Sequence, residues 1–140
     1  MNKIYSKAMD GVLLHIINKL KDISETRVDI CSDEQYLQVA CFKMNEGKTF
    51  KAHKHIENIR ETTITQESWI VIKGKVKAIL YDLDDSIVHE EVLEAGDCSI
   101  TFLGGHNYEC LEDNTIVYEY KTGPYFGQEK DKVFIEGKDA

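Results

Sequence analysis

The rhythm of apolar and polar positions changes near residue 25. Before it, Met9, Val12, Leu13, Ile16, Ile17, Leu20 and Ile23 recur at three- and four-residue spacing. That is the period of an amphipathic helix. Ser6 is placed to cap its start, and Lys19 and Lys21 near its end complement the helix dipole. After residue 25 the pattern shortens. Segments 27–31, 36–44, 48–55, 67–73, 75–82, 87–94, 97–103, 106–111 and 115–121 read as strands, rich in Val, Ile, Tyr and Thr. Turn residues separate them, among them Gly47, Gly74, Asp82 to Ser86, Gly96-Asp97 and Gly104-Gly105. Short strands at this spacing predict an all-β sandwich or barrel. No helical pattern intervenes between them, which excludes a βαβ fold. The polar stretch 56–66 lacks alternation and reads as a loop.

Length and composition narrow the class. The 140 residues suit a single domain, and 42% apolar content argues against disorder. Lys and Arg total 17 against 25 Asp and Glu, so 17 − 25 gives a net charge of −8. Nucleic acid and anionic membrane attract basic surfaces, so neither is expected as a partner. The start lacks a signal peptide's unbroken apolar stretch, and no run approaches the ~18 apolar residues of a membrane span. Cys31, Cys41, Cys98 and Cys110 show no metal-finger spacing. A cytoplasmic protein with free thiols is the expectation.

The strongest local chemical signal is His53-Lys54-His55. Residues two apart on a strand share a face, roughly 6.5–7 Å apart. Two imidazoles so placed can hold one transition-metal ion.

Five residues separate Gly47 from His53, and six separate Glu67 from Gly74; further on come Gly96 and Gly104-Gly105-His106. This order resembles the two signature motifs of the cupin superfamily. The gap from His55 to Glu67 is longer than the family's. Phe102 stands where proline is usual, and the spacing from Gly96 to His106 is one residue short. Tyr118-Glu-Tyr-Lys-Thr-Gly-Pro-Tyr125 is similar to the ending of small cupins encoded among lipopolysaccharide O-antigen genes. The resemblance implies a cupin double-stranded β-helix, or jelly-roll barrel, with a short N-terminal α-helix packed outside. Residues 1–140 would form one domain: a helical extension over 1–26, the barrel core over 36–121 and a C-terminal extension over 122–140. It further implies one divalent transition metal (Fe, Mn, Ni, Zn or Cu) held by His53, His55, Glu67 and His106. Glu61 or Gln66 are alternatives to Glu67. A homodimer is expected on the same analogy.

Other residues gather around that set. Trp69 shares parity with Glu67, as a pocket wall for a sugar ring or as core filling. Tyr108 shares parity with His106, as an acid/base group or as a core tyrosine. Glu119 and Lys121 share one strand face, as catalytic groups or as a surface pair. Arg60 could clamp a phosphate or carboxylate or remain solvated. Tyr125 could close the barrel mouth. His15 reads as structural and His89 as a surface residue. Three function classes follow: a metal-dependent isomerase or epimerase on a sugar or nucleotide sugar, a metal-dependent dioxygenase, or a non-catalytic module binding a small ligand.

Overall fold

The computed structural model describes residues 1–137. The chain is all-β, with every strand pair antiparallel. Its strands are β1 (Asn2–Tyr5), β2 (Leu13–Asn18), β3 (Arg27–Asp29), β4 (Ala40–Phe42) and β5 (Glu67–Lys73). Then follow β6 (Lys75–Tyr81), β7 (Ile87–Glu94), β8 (Cys98–Thr101), β9 (His106–Cys110) and β10 (Ile116–Lys121), and a short helix, α1 (Gln128–Asp131). A five-stranded sheet runs β1-β2-β8-β5-β10, a three-stranded sheet runs β7-β6-β9, and β3 pairs with β4. The sheets stay separate, and no closed barrel forms among the described residues. No helix among those residues is long and apolar enough to cross a membrane.

The expected N-terminal helix does not form. Leu13 to Asn18 form a strand, paired on one side with β1 and on the other with β8. Only one 3₁₀ turn, Leu20–Asp22, follows. Five of the six residues of β2 are buried, because both of its faces are covered. A strand buried on both faces reads as a nearly unbroken apolar run. Such a run satisfies helical spacing by coincidence. Ser6 caps no helix; its hydroxyl donates to Asp82 at 2.5 Å. The N-terminal segment is therefore an integral part of the larger sheet.

The two larger sheets face each other across a core of Ile4, Ile17, Val71, Val76, Ala78, Leu80 and Leu93. A second core lies on the other face of the five-stranded sheet. There Ile16, Cys98, Ile100 and Phe102 meet Ile30 and Cys31, with Val28, Leu37, Val39 and Cys41 packed around them. The β3–β4 hairpin thus covers the back of β2 and β8, which explains why β8 is buried along its whole length. The free thiols of Cys31, Cys41 and Cys98 pack there, while Cys110 is exposed.

Polar anchors tie the layers together. Asp82 accepts the Ser6 hydroxyl and the backbone N–H groups of Lys7, Ala8 and Leu83. Although burial alone raises it, these bonds hold its carboxyl down at about 2. His15 bonds Thr101 Oγ1 at 3.0 Å and the Tyr81 carbonyl at 3.0 Å, joining the two sheets. Gly74, at φ +81°, lets the chain leave one sheet and enter the other within a single residue.

The segment 48–55 also departs from its expected strand. This segment forms no strand; residues 43–66 run without a strand between β4 and β5, exposed up to Ile64 and with Gln66 buried. Strands need ladder partners for their backbone groups, and this segment has none among the described residues.

Candidate functional site

The ladder register sets the site. His15 pairs with Thr101, Thr101 with Glu67, and Glu67 with Lys121. These four form one row across the five-stranded sheet. The next row inward is Ile17, Ser99, Trp69 and Glu119. Deeper still, Val71 lies opposite Val117. The opposing strand β9 brings His106 level with Leu80 and Tyr108 level with Ala78. One end of the sandwich is therefore polar and aromatic, and it grades into the apolar core.

At that end the side chains converge. His106 Nε2 lies 3.1 Å from Glu67 Oε1. Trp69 Nε1–H donates to the same oxygen at 2.9 Å and to Glu119 Oε2 at 3.3 Å. The Trp69 ring stacks on Tyr108, with centroids 4.0 Å apart and planes at 11°. Tyr108 Oη and Ser99 Oγ share a hydrogen bond of 2.7 Å. Lys121 Nζ stands 3.6 Å from Glu119, 3.7 Å from Asp131 and 4.4 Å above the Tyr125 ring.

Electrostatics follow from these contacts. Burial pushes the Glu67 carboxyl up, but the His106 bond and charge and the Trp69 N–H outweigh it and hold the group below its usual range. Burial pushes the Tyr108 phenol well above its usual range, with the Ser99 bond opposing. Burial lowers Lys121, yet the charges of Glu119, Asp131 and Glu67 leave it raised. A carboxylate can only accept hydrogen bonds, so His106 Nε2 carries the proton donated to Glu67. In the neutral form of the ring, Nδ1 is then the nitrogen that carries the free lone pair. That atom is buried and has no hydrogen-bond partner among the described residues.

The structure places the remaining candidates elsewhere. His53 and His55 lie together, ring centroids 5.5 Å apart, both exposed on the 43–66 stretch. Among the described residues no three His, Cys, Asp or Glu side chains gather closely enough to hold a metal. The four expected ligands stand as two separate pairs, with Glu67 and His106 bonded to each other. Gln66 points away from the site, bonded to Leu37 and Gln35. Glu61 is exposed. Arg60 lines an open depression formed by residues 56–60 alone. His89 pairs with Glu91 at 3.1 Å on the outer strand β7.

Sequence reasoning missed Ser99, Thr101 and Asp131. For the first two a signal was present. In Cys98-Ser-Ile-Thr-Phe102 the hydroxyl residues alternate with apolar ones, which assigns them to the opposite face. Asp131 arrives from a distant segment and carries no local signal.

No protein-family model, curated protein or solved structure matches the chain.

Proposed function

We propose that the polar end of the sandwich binds a small polar substrate of the sugar or nucleotide-sugar class, and that His106 moves a proton on it in an isomerase- or epimerase-like reaction. The observation that carries this reading is the buried, unpartnered Nδ1 of His106 beside an Nε2–H committed to Glu67. A carboxylate that fixes an imidazole's tautomer leaves the other nitrogen as a base. Trp69 and Tyr108 supply an aromatic wall, and Glu119 and Lys121 supply an acceptor and a donor for hydroxyl groups. Two facing antiparallel sheets, with β5, β8 and β10 in one and β6, β7 and β9 in the other, support a cupin-type jelly roll. Unpaired cysteines support a cytoplasmic setting. A homodimer completes the proposal, on fold analogy.

A divalent transition metal is a second reading of the same residues, in which His106 would ligate the ion instead of acting as the base. The donor chemistry of His53, His55, Glu67 and His106 suits such an ion, whereas their placement in this structure joins only Glu67 to His106. Twelve residue steps separate His55 from Glu67, a reach of at most ~40 Å, so the tether does not prevent all four from meeting. When bound, the metal would polarise a carbonyl or hydroxyl oxygen.

Two measurements test the reading. A thermal-shift screen with nucleotide sugars should raise the melting temperature of the wild type but not of His106→Gln. Turnover of the stabilising ligand, followed by NMR, should be lost in that variant. No shift across the panel overturns the ligand class, and a shift without turnover overturns catalysis. Elemental analysis of untagged protein beside the His53→Ala/His55→Ala variant tests the metal. Equal sub-stoichiometric content in both overturns it.

A further inference from the structure

Residues 123–137 cross the polar end of the sandwich, and few contacts hold them there. Asp131 accepts the Thr65 hydroxyl at 2.6 Å and faces Lys121 at 3.7 Å, and its side chain is only 13% exposed. Tyr125 lies beneath the Lys121 ammonium. Ile135 packs on Gly105, so closely that a Cβ at residue 105 would come within 2.5 Å of its Cδ1. Most apolar residues of this segment face solvent instead: Phe126 is 72%, Val133 90% and Phe134 78% exposed. Hydrophobic burial therefore contributes little to its attachment, since that contribution scales with the area removed from water. The polar contacts of Asp131 remain. They reach two chain segments at once: Thr65, where the 43–66 stretch enters β5, and Lys121, the last residue of β10. From Lys121 the chain of contacts continues to Glu119 and then to Trp69 at 3.6 and 3.3 Å.

We propose that residues 123–137 are a removable strap closed over the polar end of the sandwich, and that Asp131 is the latch that holds it shut. The inference takes the location of the site from the function proposed above. The strap lies across the route to Glu67, Trp69 and His106, and entry of a substrate requires Asp131 to leave Thr65 and Lys121. Asp131 is a positioning residue and does not touch the reacting atoms.

The test needs no ligand, so its failure is distinct from failure of the proposed function. Trp69 is the only tryptophan in the chain and sits at the site. Its fluorescence quenching by acrylamide would be compared between wild type and Asp131→Asn, beside the rate of trypsin cleavage at Lys130 and Lys132. Opening the latch should raise the quenching constant at least twofold and speed cleavage severalfold, with the far-ultraviolet circular dichroism unchanged. Thr65→Val should reproduce both effects in part, and it serves as the reporter should Asp131→Asn fail to fold. A quenching constant equal to that of wild type in a folded variant overturns the proposal, whether or not trypsin cuts faster.

Discussion

Glu67 and His106 lie 39 positions apart in the chain and belong to different sheets, yet Nε2 and Oε1 meet at 3.1 Å. The contact is an inter-sheet tie as well as a candidate dyad. Its carboxylate is held below its ordinary value of 4.5. A depressed carboxyl pKa contributes stability that is present above the unfolded value and lost as pH falls through the folded one. Glu67→Gln should therefore cost about 1–3 kcal/mol at pH 7 by leaving His106 and Trp69 poorly paired. It should also flatten the loss of stability below pH ~4.5. Urea unfolding across a pH series measures both. An unchanged acid limb would show that the pair carries no linkage.

His15 gives a second acid limb at higher pH. Burial dominates and lowers this imidazole from 6.5 to about 4, with the Tyr81 carbonyl opposing. The folded state thus holds it neutral, and stability is full above pH 6.5 and falls between 6.5 and about 4. The linkage amounts to roughly 3 kcal/mol, because each tenfold loss of proton affinity on folding corresponds to ~1.4 kcal/mol. In His15→Gln the decline between those values should disappear, at the expense of some stability at neutral pH from disturbed bonds to Thr101 and Tyr81. The same unfolding series, read between pH 7 and 4, decides it.

The strands after residue 66 were legible because each is a short run bounded by residues that suit tight turns. Segment 87–94 coincides with β7, and 67–73 with β5. Within them, parity alone places Trp69 with Glu67 and Tyr108 with His106. The N-terminal strands were not legible, because β2 is covered on both faces and loses the alternation that marks a strand. Segment 48–55 has strand-like residues, but a strand also requires a neighbour, which no local pattern reveals. Asp82 read as a turn residue and is in fact a buried anchor for the β1–β2 turn, a role set by the distant Ser6, Lys7 and Ala8. The latch residue Asp131 was invisible for the same reason.

Phe102 is one of the largest fully buried side chains in the structure. Its ring is 1% exposed in the back core, and its N–H donates to the Leu14 carbonyl at 2.9 Å. Proline would forfeit both the ring packing and the donor. Phe102→Ala should cost about 3–5 kcal/mol through the cavity it leaves. Phe102→Leu should cost less than half as much, since most of the volume is kept. Chemical denaturation of the two variants checks the ranking, and equal losses would mean that the back core does not discriminate by volume.

Tyr108 and His106 lie side by side, ring centroids 5.5 Å apart, but their chemistry differs. Burial drives the Tyr108 phenol upward, so at neutral pH it keeps its proton and can donate but cannot act as a base. Spectrophotometric titration should show the highest-pH tyrosinate step vanishing in Tyr108→Phe while the lower steps persist. The same variant leaves Ser99 Oγ without its 2.7 Å partner and should lose about 1 kcal/mol. Ser99→Ala should lose a similar amount, and the double variant little more, because the two hydroxyls satisfy each other. Additive losses would show that the Tyr108–Ser99 bond does not position the ring. The stacked Trp69 would then be its main support, and Trp69→Leu should shift the Tyr108 titration back toward the ordinary range.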